Sequence, residues 1–141
     1  MAANGDKVIS PHLQVYRWGP HMLVSILHRA TGDALAIAGS LLFLFWLGAA
    51  AGGEASYAKF IGYIWGTAGE PMHWYSWLGR ALLVGLSWAM FQHAASGLRH
   101  LLLDTGAGYE LKANRFWSLV VASVPALLTA ALWLYIFYRG V

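Results

Sequence analysis

The chain has 141 residues, of which 59% are hydrophobic and only 11% are charged. A soluble domain carries about a quarter charged residues, so this composition argues against a soluble enzyme and a disordered chain. The sequence has no cysteine, which excludes disulfides, thiolate-held iron–sulfur clusters and thioether-attached haem within this chain. The net charge is +3, and the basic residues are scattered among apolar runs. This distribution favours basic residues that set the orientation of a membrane protein over a basic patch that binds nucleic acid.

Three charge-free apolar runs are each long enough to cross a bilayer. A spanning helix needs about 20 apolar residues, because each residue adds about 1.5 Å across about 30 Å of hydrocarbon. Backbone polar groups inside lipid must be satisfied within the segment, so each run is predicted to be helical. The sequence predicts an all-α fold with a single membrane domain, a transmembrane bundle of three helices at about 22–51, 74–103 and 116–138.

The distribution of basic residues predicts the orientation of the bundle. With three spans, the N-terminus and the second loop share a side that carries six basic residues, against three on the other side. The basic side is expected to be cytoplasmic, which places the C-terminus in the periplasm. The N-terminal MAANGDK resembles neither a secretory signal nor a mitochondrial transit peptide. A bacterial inner membrane is therefore expected, with the mitochondrial inner membrane as the alternative.

Two further features concern the segment 52–73 and the third helix. The segment 52–73 is predicted to be a surface connection with room for a short interfacial helix. Pro125 is expected to kink the third helix, because proline removes one backbone hydrogen bond.

A first polar cluster lies near the start of the first helix and comprises Ser25, His28, Arg29 and Gly32. The spacing i, i+3, i+4, i+7 places these residues on one helical face. Ionisable residues inside a span are costly and are functional by default. One interpretation is capping and snorkelling at a helix end. The other is a polar ligand at the membrane boundary, either a quinone head group or the propionates of haem.

A second polar cluster ends the second helix and places His93, Gly97, His100 and Asp104 on one face. If Asp104 marks the boundary, His93 lies ~16 Å deeper, close to mid-bilayer. An unsatisfied imidazole there costs several kcal/mol, and coordination to a haem iron would satisfy it. The small residues Ala89 and Gly97, one turn to either side, leave room for a macrocycle or for a packed helix.

The spacing of the histidines predicts where a second iron ligand comes from. His93 and His100 lie ~10 Å apart on one helix and cannot bind one iron from opposite sides. His28 is predicted to lie nearer the boundary than His93, so the second ligand is expected from another subunit. His100 and Arg99 are predicted near the surface end, where propionates would emerge.

Three segments carry a resemblance to a known family: SPHLQVYR at 10–17, SILHRATG at 25–32 and HAASGLRHLLLD at 93–104. In this order and spacing they resemble the cytochrome b membrane-anchor subunit of succinate dehydrogenase (succinate:quinone oxidoreductase), in its alphaproteobacterial and mitochondrial branch. The resemblance implies that His93 is the axial ligand of a b-type haem. It also implies that His28, Arg29 and His100 surround that haem and its propionates.

The same resemblance implies a ubiquinone site with Ser25 and Arg29, and with Trp18 near the pocket. It implies three partners: a flavoprotein that oxidises succinate, an iron–sulfur subunit, and a second small membrane-anchor subunit that shares the haem. The chain itself would hold no dicarboxylate-oxidising active site.

Other functions remain open at this point. The chain could be the anchor of a related fumarate reductase, because the direction of the reaction depends on the quinone and the partners. Intramembrane His and Arg also occur in proton or ion transporter subunits, although the paired broken helices typical of transporters are absent from the sequence pattern. A purely structural anchor without haem is the third alternative.

Overall fold

The computed structural model describes residues 18–67 and 71–139, so the segment 10–17 lies outside the described residues. The described ranges are helical throughout apart from short connections, and the expected all-α class is confirmed. They contain four helices where three were expected, because the connection 52–73 holds a helix of its own. We label the helices α1 (Pro20–Ala51), α2 (Glu54–Trp65), α3 (Trp74–Asp104) and α4 (Leu111–Arg139).

Helix α1 begins at Pro20, where the missing backbone N–H would have no partner within the helix anyway. The helix contains a π-helical turn at Leu35–Gly39 and continues as α-helix over Ser40–Ala51. A π turn is a rare insertion that is frequent at functional sites, and here it follows the polar face of α1 directly. The turn separates the polar beginning of α1 from its apolar second half.

Helix α2 is attached to the beginning of α3 by polar contacts that involve its C-terminal residues. The guanidinium of Arg80 donates a hydrogen bond of 2.6 Å to the carbonyl oxygen of Trp65 and lies 4.6 Å from the centre of the Trp65 ring. The hydroxyl of Ser76 donates to the carbonyl oxygen of Gly62 at 3.3 Å. Because these bonds satisfy carbonyl groups at the end of α2, they fix the position of the helix against α3.

The closest approach between α2 and α3 occurs at Gly79. A Cβ atom on Gly79 would lie 2.8 Å from the carbonyl oxygen of Ile64 and 2.9 Å from the Ile64 Cα. Since both atoms belong to the backbone, a side-chain rotation cannot relieve the overlap.

We expect Gly79→Ala to destabilise the protein by about 1–3 kcal/mol, the usual cost of overpacking a tight interface. The measurement is thermal unfolding of the purified protein in detergent. Gly85→Ala is the matched control on the same helix, because nothing lies within 4 Å of the added Cβ there. If the two substitutions lowered the midpoint equally, the close packing of α2 on Gly79 would be refuted.

The interior of the bundle is more polar than its surface. Many of the buried residues are small or polar, and the exposed positions include a long series of Leu, Phe, Trp and Tyr. Several buried hydroxyls donate to carbonyl groups one turn earlier in their own helix, as Ser118 does to Asn114 and Thr129 to Pro125. This pattern is typical of helices that pack through small residues and present apolar side chains to lipid.

Two of the described helices, α1 and α4, are long and apolar enough to cross a membrane. Helix α3 has 31 residues and packs against all three other helices. Its polar residues Gln92, His93 and Ser96 lower its mean hydropathy, so composition alone does not mark it as a span. Helix α4 begins five residues before the expected start at 116 and includes Pro125 without interruption.

Candidate functional site

The two polar clusters of the sequence meet where α1 contacts α3. The rings of His28 and His93 are stacked, with centroids 4.1 Å apart and an angle of 9° between their planes, and the ring of His100 lies 5.0 Å from that of His28. The sequence predicted that His28 lies nearer the membrane boundary than His93, but the stacked rings lie at about the same level, so this expectation is wrong. The offset between α1 and α3 along their axes brings the two rings together, and the sequence of one helix does not encode this offset.

The backbone of α1 determines which nitrogen of His93 carries the proton. The Nδ1 atom of His93 lies 3.1 Å from the carbonyl oxygen of His28. A carbonyl oxygen can only accept, so Nδ1 is the donor and the lone pair remains on Nε2. Histidines that bind metals donate their other ring N–H to such an acceptor, which fixes the tautomer and makes the ligating nitrogen more basic. His93 is therefore prepared to bind a metal through Nε2.

Glycines provide the space in which the imidazole rings lie. A Cβ atom on Gly32 of α1 would lie 3.0 Å from Cε1 of His93, and one on Gly97 of α3 would lie 3.8 Å from Cε1 of His28. A side chain at position 32 would thus push against the ring of His93. The ring of His93 therefore occupies the Gly32 end of the polar face of α1.

Ser96 is a residue of this site that the sequence reasoning missed. Its buried hydroxyl lies 2.8 Å from Nδ1 of His28 and donates to the carbonyl oxygen of Gln92 at 2.7 Å. Since the hydroxyl proton is used by the backbone of α3, the hydroxyl oxygen accepts from Nδ1 of His28, whose Nε2 then keeps its lone pair. The signal in the sequence was the position of Ser96, one turn after His93.

We expect Ser96→Ala to destabilise the protein by about 1–3 kcal/mol, because His28 Nδ1 loses its partner in a half-buried site. The measurement is the unfolding midpoint of the purified protein. Ser87→Ala is the matched control, since among the described residues the Ser87 hydroxyl bonds to the Leu83 carbonyl oxygen of its own helix. A Ser96 variant no less stable than the Ser87 variant would show that this bond does not hold His28.

The three residues expected at the quinone site lie at the same end of α1 as the histidines. Ser25 is half-buried, and Arg29 is exposed one turn further along the same face. Trp18 lies two residues before the helix begins and is 64% exposed. The hydroxyl and the guanidinium are thus accessible from the surface of α1, next to the histidine cluster.

Arg99 does not join this cluster, contrary to its expected place near haem propionates. Its guanidinium is buried and donates to the side-chain oxygen of Asn114 on α4, whereas His100 contacts His28 on α1. The reason is geometric: consecutive residues of an α-helix point about 100° apart. His100 and Arg99 therefore contact different helices.

The donors at this site fit a haem iron better than a bare metal ion. Within residues 18–67 and 71–139, no three His, Cys, Asp or Glu side chains form a group that could hold a metal ion. A haem needs only axial ligands from protein, because the porphyrin supplies the other four nitrogens. His93 and His28 each have a held Nδ1–H and a lone pair on Nε2, so the site offers imidazole ligands of the kind that a haem iron takes.

These features define a class of protein, a helical membrane protein with a histidine site between two of its helices. Residues 4–132 match the family model described as the succinate dehydrogenase/fumarate reductase transmembrane subunit. The chain belongs to this family, and the resemblance seen in the sequence is confirmed. Membership makes it a transmembrane, cytochrome b-type subunit of respiratory electron transport.

Individual relatives agree with the family. The succinate dehydrogenase cytochrome b556 subunit of Paracoccus denitrificans is 39% identical over 110 residues, which cover 77% of this chain and 75% of that protein. The same subunit of Rickettsia felis is 36% identical over 126 residues and 88% of each chain. The mitochondrial cytochrome b560 subunit of the mouse is 31% identical over 112 residues, 77% of this chain and 59% of that protein.

Proposed function

We propose that this chain is the haem b-binding membrane anchor of a succinate dehydrogenase and that it helps to form the site of ubiquinone reduction. The observation that carries this proposal is the arrangement of His93. Its Nδ1 is bonded to the backbone of α1, its Nε2 keeps a lone pair, and it stacks on His28 between two helices. A b-type haem bound here would act as a one-electron carrier.

The residues of this chain would hold the haem in distinct ways. His93 is the proposed axial ligand, through Nε2. His28 orients it through its carbonyl oxygen and is itself held by Ser96. His28, Arg29 and His100 are the proposed neighbours of the macrocycle and its propionates. His93 is only half-buried in this chain, which leaves a side for the companion anchor subunit that would supply the second ligand.

Ser25 and Arg29 are proposed to bind the carbonyl oxygens of ubiquinone, with Trp18 as part of the wall. The Ser25 hydroxyl and the Arg29 guanidinium both donate hydrogen bonds, and the fixed positive charge stabilises the negative charge that develops on a quinone oxygen during reduction. Their position at the start of α1 lets water deliver the protons that reduction requires. These groups bind and orient the quinone next to the histidine site.

The proposal places α1, α3 and α4 across a bacterial inner membrane, with the N-terminus in the cytoplasm and the C-terminus in the periplasm. Helix α3 is long enough, at ~46 Å, and packs against both apolar helices, so it would cross with them. Because the chain has no cysteine, its electrons would come from an iron–sulfur partner. That partner would in turn join a flavoprotein and a second small anchor.

Purification of the complex through a tag on this chain tests the proposal. We expect the flavoprotein, iron–sulfur and second anchor subunits to co-purify, together with b haem that shows in the reduced-minus-oxidised spectrum. Isolation of the chain without pigment but with proton flux in vesicles would refute the proposal and favour a transporter subunit. The matched family also includes fumarate reductase subunits, so comparing succinate oxidation with fumarate reduction decides the direction.

A further inference from the structure

A second site lies between α3 and α4, on another side of α3 from the contact with His28. It is a groove of about 350 Å³, which we call the α3–α4 groove, and its volume lies within the range of small-molecule sites. Its lining is mostly apolar and includes Leu98, Leu102, Trp117 and Val124. The polar side chains in it are those of Arg99 and Asn114.

Arg99 is the unusual member of this lining. Its side chain is 8% exposed, and its hydrogen-bond partner among the described residues is the neutral amide of Asn114. No carboxylate in the described part of the chain neutralises it. A buried cation without an anion is costly, so the groove is electrostatically suited to an anionic ligand. Asn114 uses its oxygen for Arg99, which leaves its amide N–H groups to donate to the same ligand.

The position and the opening of the groove indicate where the ligand comes from. Arg99 lies five residues, ~7.5 Å, before the end of α3 at Asp104, and its guanidinium reaches Asn114, three residues after the beginning of α4. The polar end of the groove therefore lies within two helical turns of the expected membrane boundary, where a lipid headgroup can reach it. At the groove, Leu98 is 65% exposed, Leu102 61% and Trp117 53%. Trp is enriched at the membrane interface, and basic pockets between helices bind anionic lipid headgroups there. The apolar lining continues from Arg99 along α4 to Val124, as an acyl chain requires.

We propose that the α3–α4 groove binds an anionic glycerophospholipid. The phosphate accepts hydrogen bonds from Arg99 and Asn114, and one acyl chain follows the lining toward Val124. This site lies apart from the histidine cluster and does not depend on the haem or quinone assignments. The lipid would add to the direct packing of α4 on α3.

The test is native mass spectrometry of the whole complex, stripped of lipid in detergent and titrated with phosphatidylglycerol. We expect one tightly retained phosphatidylglycerol and about tenfold less retention of a diacylglycerol with the same acyl chains, because the phosphate is missing. An excess of inorganic phosphate should not displace the lipid. Arg99→Gln should lower retention about tenfold, whereas Arg115→Gln, an exposed cation near the same end, should retain wild-type binding.

A second variant and a measurement on the wild type cover the case in which Arg99→Gln does not assemble. Val124→Trp would fill the far end of the groove and leave Arg99 intact, and it should also lower retention. Phosphatidylglycerol with a photoreactive group on an acyl chain should label 117–124 of the wild-type complex. Equal retention in all variants, equal retention of diacylglycerol, displacement by phosphate alone, or labelling only elsewhere would each overturn the proposal. Arg99→Gln should keep the wild-type haem spectrum, because Arg99 contacts α4 and not the histidine cluster.

Discussion

Replacement of His93 by alanine is expected to remove haem b from the complex and to reduce its haem content to about a tenth of the wild-type value or less. The reason is that the Nδ1 of His93 is held by a backbone carbonyl of the neighbouring helix, which leaves Nε2 as the ligand. The measurement is the reduced-minus-oxidised spectrum of the purified complex, normalised to its flavin content.

The control for His93→Ala is His73→Ala. His73 is exposed just before α3 begins and stacks on Tyr75, at the other end of α3 from the histidine cluster. The control complex should keep its full haem content. Added imidazole should restore part of the haem signal to the His93→Ala complex, which a general folding defect would not allow. A His93→Ala complex with wild-type haem content and unchanged ligation would show that His93 is not a haem ligand.

The second large effect is expected on ubiquinone reduction. Arg29→Gln should lower the rate of succinate-driven quinone reduction about ten- to a hundredfold, because the quinone loses a charge-assisted hydrogen bond, and Ser25→Ala should lower it less. Succinate oxidation measured with an artificial acceptor should stay near the wild-type rate, since that acceptor takes electrons before the quinone site. The measurement compares the two activities in the same membranes.

Lys112→Gln is the matched control for Arg29→Gln. Lys112 is also an exposed cation, and it lies at the beginning of α4, on the side that the charge distribution predicts to be cytoplasmic. It should leave both activities unchanged. If Arg29→Gln lowered both activities in parallel, the role of Arg29 would be in assembly of the complex and the quinone assignment would be wrong.

The all-helical architecture could be predicted from the sequence because long apolar runs have few alternatives in lipid. The short helix anticipated in the connection 52–73 corresponds to α2, but its position and the π turn of α1 could not be predicted. The position of α2 depends on Gly79 and Arg80 of α3, which lie beyond it in the chain and contact it only in the folded state. The π turn is a backbone adjustment without a sequence signature of its own.

The candidate site was predictable to the extent that helical spacing defines a face. Spacing identified His28 and His93, but their relative level depends on how α1 and α3 are offset, which a single helix does not encode. Ser96 and Asn114 were missed for a related reason. Each is an ordinary polar residue until another helix brings His28 or Arg99 within hydrogen-bond distance.

The central claim is that this chain supplies an axial ligand of haem b from His93. An experimental structure of the assembled complex, at a resolution that shows the iron and its ligands, tests it most directly. The account predicts that Nε2 of His93 is bonded to the haem iron, that Nδ1 still donates to the His28 carbonyl oxygen, and that the opposite ligand comes from the companion anchor. An iron ligated entirely by other residues, with His93 away from it, would contradict the account.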